Sequence, residues 1–347
     1  MTKRKRTSKK RLNTKPTTYR KRKNTKRRRT TKKQKRATIL MQFLLLFIGS
    51  VLLYQWKPTE INHMISESVE YIEGAVLTAE DITGPVEGEL EVHFLDIGQG
   101  DATLLICDGE AMLIDAGDNS RGTAVQNYLE KQGVETLKYV IGTHPHEDHI
   151  GGLDVILYKF DCETVILPNV EYDTKTNDDV YETMENKNYQ VELPVVGKSY
   201  TFGSSSFVIL GPSEAGYGDN LNNYSVSILL THGESTFIFT GDAEIEAEED
   251  MLDTGISLQA DVYQVGHHGS SSSSSEAFVE AIDPQWAVIS CGEDNSYGHP
   301  HSEVLNRLRT NEIEVFRTDE QGVIVATSDG ENITWNMSPS TTWQTGS

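Results

Sequence analysis

Seven consecutive residues, Thr143-His144-Pro145-His146-Glu147-Asp148-His149, constrain this chain more than any other segment. They set three imidazoles and two carboxylates within six positions, in a chain that has only 10 histidines among 347 residues. Neutral imidazole and carboxylate are donors that zinc or manganese accept. The alternate spacing lets His144 and His146 point at one ion, and Asp148 with His149 reach a second. The preceding run Leu137-Lys138-Tyr139-Val140-Ile141-Gly142 reads as a strand, and Gly151-Gly152 follows the cluster. The ligands therefore sit on a tight loop at the carboxyl end of a buried strand, where α/β folds place their chemistry.

Such a cluster needs partners from elsewhere. Phe239-Thr240-Gly241-Asp242 brings a carboxylate to another strand end, beside a glycine that permits a sharp turn. Two-metal hydrolases hold their cations roughly 3.5–4 Å apart, a gap one carboxylate can bridge, and Asp242 is the candidate bridge. Val265-Gly266-His267-His268-Gly269 offers two more imidazoles. One of them completes the second ion, while the other lies behind it or contacts substrate. Asp148 is placed to orient the nucleophile while binding metal. His299, in a loop bounded by Gly298 and Pro300, is the candidate for protonating a leaving oxygen or binding phosphate.

Short apolar runs alternate with amphipathic ones from residue 90 onward. Strands are expected at 91–96, 102–106, 111–115, 137–142, 164–167, 205–210, 225–230, 236–240, 261–265, 286–290, 314–317 and 323–326. Helices are expected at 121–132, 150–160, 244–252, 274–282 and 302–310. Strand-rich halves with interspersed helices imply two sheets packed face to face with helices outside. The run of Gly269 and six serines to Ser275 reads as flexible. Cys107, Cys162 and Cys291 are odd in number and irregularly spaced, so no disulfide framework is expected.

The amino-terminal quarter is a different object. Of 31 Lys and Arg, 20 lie in residues 1–36, which hold no acid; 31 less 20 leaves 11 against 52 acidic residues, a charge of −41. Residues 1–36 are expected to be a disordered cytoplasmic tail. The tail can hold anionic lipid, touch nucleic acid, or only fix orientation. Residues 37–56 carry no charge and match the ~20 residues that span hydrocarbon, with Tyr54 and Trp56 at one end. A single-pass anchor in the cell membrane follows, with a linker over 57–88 and an outer domain over 89–340; secretion after signal cleavage is the alternative.

Several of these pieces, taken in order, resemble the metallo-β-lactamase superfamily of hydrolases over about residues 90–335. More narrowly, they are similar to the extracellular hydrolase domain of ComEC-type competence proteins. The matching segments run from Phe94-Leu95-Asp96-Ile97-Gly98-Gln99-Gly100-Asp101 through Asp115-Ala116-Gly117, the histidine loop and Asn222-Asn223-Tyr224-Ser225. They continue with Asp242, His267-His268 and Tyr297-Gly298-His299-Pro300-His301. The resemblance implies an αββα sandwich holding two divalent ions, Zn2+ or Mn2+. His144, His146 and Asp242 would hold one; Asp148, His149, Asp242 and His267 or His268 the other. Asp96, Asp101, Asp115, Asn222 and Asn223 would orient ligands or meet substrate. The superfamily usually adds a third histidine to the first ion just before the strand that precedes the bridging aspartate. Here the segment reads Leu221-Asn222-Asn223, an asparagine pair that ComEC-like relatives share, which implies a ligand-poor first site that binds more weakly or prefers manganese. A single expected span is not the many-helix channel of ComEC-type proteins, so DNA uptake is not assigned.

The expected activity is phosphodiester hydrolysis by a metal-activated hydroxide, on DNA or a small phosphodiester such as a choline-phosphate ester. The charge of −41 disfavours an extended polyanion, although screening beyond ~8–10 Å limits the repulsion. Carboxylic ester, lactone or β-lactam hydrolysis on the same site is one alternative. A non-catalytic anchored scaffold acting through its basic tail is the other. Oligomeric state is not legible.

Overall fold

The computed structural model describes residues 88–213 and 216–346. The expected tail at 1–36 and span at 37–56 lie outside the described residues, as does all but the last residue of the linker. Among the described residues, no helix is long and apolar enough to cross a membrane.

The first half runs β1 (Leu90–Phe94), β2 (Thr103–Cys107), β3 (Glu110–Ile114), α1 (Gly122–Lys131), β4 (Thr136–Ile141), α2 (Glu147–Ile150), α3 (Leu153–Lys159), β5 (Asp161–Ile166), α4 (Lys175–Lys187) and β6 (Val191–Glu192). The second runs β7 (Ser199–Phe202), β8 (Ser205–Gly211), β9 (Ser227–His232), β10 (Ser235–Phe239), α5 (Ile245–Asp253), β11 (Val262–Gln264), α6 (Glu276–Ile282), β12 (Trp286–Ile289), α7 (Ser302–Thr310), β13 (Glu314–Arg317) and α8 (Thr318–Gln321). The chain then returns through β14 (Ile324–Ser328) and β15 (Ile333–Trp335).

One sheet has the order β15-β14-β1-β2-β3-β4-β5-β6 and the other β13-β12-β11-β10-β9-β8-β7. Each changes from antiparallel to parallel pairing partway across. In the first sheet β3 is antiparallel to β2 and parallel to β4; in the second β10 is antiparallel to β9 and parallel to β11. The metal-ligand candidates follow those parallel strands.

Period-2 alternation sorts the side chains into layers. Phe237 and Phe239 of β10 meet Leu90, Val92 and Phe94 of β1 between the sheets, while Ile238 turns outward to Met251 and Val279. Tyr139 and Ile141 of β4 likewise face inward, and Val140 packs outward with Val125, Leu129 and Leu153. Phe94 and Phe239 stack across the sheets with centroids 6.3 Å apart. Burying each such ring contributes about 1.5–3 kcal/mol. The result is the four-layer αββα sandwich.

Several local expectations needed correction. The helix expected over 150–160 is two, because a Cβ on Gly152 would lie 2.3 Å from Ala116 O, so the chain bends there to let the loop after β3 approach. Helix α4 was not anticipated: only Thr176, Val180 and Met184 of its 13 residues are buried, too thin a stripe to read. The serine run is also a correction. Ser270, Ser273 and Ser274 are buried, Ser273 donates to Gly266 O at 2.6 Å, and Ser275 caps α6. All three cysteines are free and buried.

Candidate metal centre

Backbone bonds between loops assemble the site. The N–H of Asp101 donates to Asp148 O, Ala116 to His149 O, Val226 to Thr143 O and His267 to Gly241 O. Gly241 has φ +51°, and a Cβ there would lie 2.9 Å from Thr143 Cβ, so Asp242 is delivered into the cleft only by a glycine turn. His267 and His268 both occupy the left-handed region, at φ 50° and 53°. Such strain costs about 1–3 kcal/mol per residue and persists where the surroundings enforce it.

Asp242 is 2% exposed and lies at the centre. Its Oδ1 is 3.1 Å from His149 Nε2 and 3.5 Å from His268 Nε2. Its Oδ2 is 3.7 Å from His144 Nε2 and 3.6 Å from His267 Nε2. His146 turns Nδ1 toward His144 Nε2 at 2.9 Å, and Asp148 Oδ2 is 3.5 Å from His268 Nε2. Donor atoms of His144, His146 and Asp242 form one cluster that can take an ion; those of His149, His268, Asp242 and Asp101 form another.

The opposite ring nitrogens are tied to outer partners. His149 Nδ1 donates to Asp115 Oδ2 at 2.8 Å, and that carboxylate also accepts the N–H and hydroxyl of Thr143. His268 Nδ1 donates to Ser290 O at 2.9 Å. These bonds leave a bare lone pair on each Nε2, the arrangement typical of metal-ligating histidine. His149 Nε2, His268 Nε2 and Asp242 Oδ1 are buried without a hydrogen-bond partner. Lone pairs facing a carboxylate repel one another unless positive charge lies between, so the donor set fits divalent cations.

The electrostatics agree. Burial alone depresses His149, yet Asp242 and Asp115 outweigh it and hold the ring well above the usual histidine range. His268 is likewise depressed by burial but raised overall to about 9 by Asp242, Asp148 and Asp101. His144 is pushed well below its ordinary value by burial and by neighbouring His149. Asp242 is lowered despite its burial, by His149 and His268. In the absence of an ion, protons take up the site's demand for positive charge.

The sequence-derived candidates do not all converge. Asp101 does, joining the second donor cluster while also lying 3.7 Å from His268 Nδ1. Burial raises its carboxyl to about 6. Asp96 is exposed and accepts the N–H of Gly98, outside both clusters. Asn223 is buried away from the cleft, accepting the N–H of Glu244 at 2.9 Å. His299 is 5% exposed and lines the cleft with an unpartnered Nδ1; burial and then His268 lower it to about 4.

The cleft over the clusters has a volume of about 350 Å³. Gln99, Glu147, Tyr172 and Tyr297 line it beside the expected residues, and no Lys or Arg does among the described residues. Tyr297 falls in a segment that the sequence singled out, whereas Tyr172 lies in an unpatterned loop and gave no signal. Glu244, two residues past Asp242, sits 3.3 Å from His267 Nδ1 and was also missed.

A profile of the family described as the Metallo-beta-lactamase superfamily matches residues 95–293. The chain is 31% identical over 257 residues to ComE operon protein 3 of Bacillus subtilis, covering 69% of this chain and 33% of that protein. It is 33% identical over 239 residues to Recombination protein 2 of Haemophilus influenzae, covering 67% and 28%. It is 29% identical over 240 residues to Competence protein ComA of Neisseria gonorrhoeae, covering 69% and 32%. The chain thus spans about a third of the length of these curated relatives. Among solved structures, the metallo-beta-lactamase fold protein YhfI of Bacillus subtilis aligns with a TM-score of 0.46 at 12% identity, over 68% of this chain and 98% of that one.

Proposed function

The chain belongs to the metallo-β-lactamase superfamily, and from that premise we propose that it is a two-metal hydrolase of phosphodiester bonds. One observation carries the reading: His144, His149 and His268 turn Nε2 toward the two oxygens of a buried aspartate, and His146 lies beside His144. His144, His146 and Asp242 would hold one ion, and Asp148, His149, His268 and Asp242 the other, as Zn2+ or Mn2+. Bound there, two divalent cations supply Lewis-acid charge neutralisation and acidify a water.

The chain's own groups do the rest. Asp115 and Ser290 fix the tautomers of His149 and His268, so both Nε2 lone pairs stay turned inward. Asp148, at the cleft wall, orients the attacking water. His299, neutral near pH 7, enters as a hydrogen-bonding partner for a substrate oxygen. Tyr172 and Tyr297 flank the opening, Tyr297 being 63% exposed and stacked on His299.

A phosphodiester is favoured because a two-ion clamp suits phosphoryl transfer and because relatives carry competence and recombination names. The cleft supports a single scissile phosphate better than a long backbone. Arg307 is engaged by Glu276 and Ser274 O, and Arg317 by Asp319 and Glu320, so neither is spare for a phosphate track. We place the catalytic domain outside the cell, anchored through residues 37–56.

The test is hydrolysis of bis-p-nitrophenyl phosphate and single-stranded DNA by the purified chain and by His146→Ala. Activity should fall at least a hundredfold in the variant; equal rates would end the proposal. Turnover of lactones or carboxylic esters, with none of phosphodiesters, would reassign the bond cleaved.

A further inference from the structure

The two clusters are unequal, and the inequality lies at the segment ahead of β9. The first offers three protein donors, His144, His146 and Asp242, whereas the second as read above has four, Asp148, His149, His268 and Asp242. The segment that would supply the fourth folds as a 3-10 turn over Leu221–Tyr224. Its two asparagines behave differently. Asn223 is spent on the start of α5: its Oδ1 accepts the N–H of Glu244 at 2.9 Å and its Nδ2 donates to Glu246 at 3.3 Å. Asn222 lines the metal cleft. Its Nδ2 donates to Glu244 Oε1 at 3.2 Å, while Glu244 Oε2 is held by Asn220 Nδ2 at 2.8 Å.

That anchorage decides where the other end of the amide points. With Nδ2 committed to Glu244, Oδ1 is directed away from it, and Oδ1 is buried without any hydrogen-bond partner. A buried carbonyl oxygen with no donor is rare in folded proteins and needs an explanation. The residue that carries it lines the same cleft as His146, Asp242 and His267.

We infer that Asn222 Oδ1 is the fourth protein ligand of the first ion, oriented by Glu244. The inference rests on the two-metal reading of the site. His267 is the rival for that position: its Nε2 lies 3.6 Å from Asp242 Oδ2. Its donor atoms nevertheless join neither metal-sized cluster, the first of which holds only His144, His146 and Asp242. The resulting first shell has two nitrogens and two oxygens, a harder set than three imidazoles and one carboxylate, and it tilts the site toward Mn2+ and away from Zn2+.

Calorimetric titration of the metal-free full chain with Mn2+, and separately with Zn2+, tests this, with the Mn2+ resonance spectrum as a second readout. The unaltered chain should take two ions. Asn222→Ala should raise the Kd of one of them by about 10- to 100-fold or more and leave the other within twofold. Asn222→Asp, which keeps an oxygen donor, should retain both. Asn222→His should shift that site's preference toward Zn2+ by at least about tenfold. Two ions bound to Asn222→Ala with unchanged Kd values and an unchanged spectrum would overturn the assignment. If Asn222→Ala does not fold, an unaltered Mn2+ to Zn2+ preference in Asn222→His overturns it equally. A native chain that takes up no ion would instead sink the two-metal reading, and this assignment with it.

Discussion

His149 and His268 are two-ended parts, Nδ1 spent on orientation and Nε2 without a hydrogen-bond partner. The cost shows in the titration of His149 and His268, whose folded-state values are raised. A histidine raised by folding stabilises the protein fully below the ordinary value near 6.5, and that stabilisation is lost as pH climbs toward the folded value. The metal-free chain should therefore lose stability as pH rises from about 6.5 toward 9, the value to which His268 is raised. Metal binding needs the bare ring, so affinity should rise across the same window, with protons released on binding. Melting temperatures against pH, and calorimetry in buffers of different ionisation heat, check both signs. A metal-free melting temperature that rises over that window, or binding without proton release, contradicts this account.

Among the elements, the six-serine loop does the most to hold His267 and His268 in their left-handed turn. Ser272 Oγ lies 3.0 Å from His267 Nδ1, Ser273 ties back to Gly266 O, and Ser274 Oγ meets Tyr263 Oη at 2.9 Å. Beneath it Glu248, 1% exposed on α5, accepts the N–H groups of Ser274 and Ser275 at the start of α6. Glu248→Ala would leave two backbone donors unmatched and should cost about 2–4 kcal/mol. Urea denaturation measures it; a loss below about 1 kcal/mol would show that the loop holds itself. Composition alone reads this loop as flexible, because serine propensities are local and its hydrogen bonds are to distant partners.

Over the whole molecule, charge sets the terms for substrate. The chain beyond residue 36 carries a charge of −41, and the cleft has no cationic lining among the described residues. A protein that binds nucleic acid through many phosphate contacts weakens by about 10³–10⁵ between 50 and 200 mM salt. This one should not: over that range its KM for an oligonucleotide should hold steady or fall, as screening relieves repulsion. KM for bis-p-nitrophenyl phosphate should barely move. A steep rise in the oligonucleotide KM with salt would reveal a phosphate track that the described residues do not contain.

Sequence alone was enough for the fold class and for most of the ligand candidates. The apolar run at 236–240 marked a strand, and histidines packed within one loop have few other uses. Those signals are local, because a strand's two faces and a ligand loop's spacing are written in neighbouring residues. Only tertiary structure separated His268 from His267, and Asn222 from Asn223. Each pair is adjacent in the chain and alike in chemistry, and its members differ only in which distant group holds the far side of the side chain. Helix α4 and Tyr172 at the cleft stayed hidden for the same reason: their roles come from what packs against them.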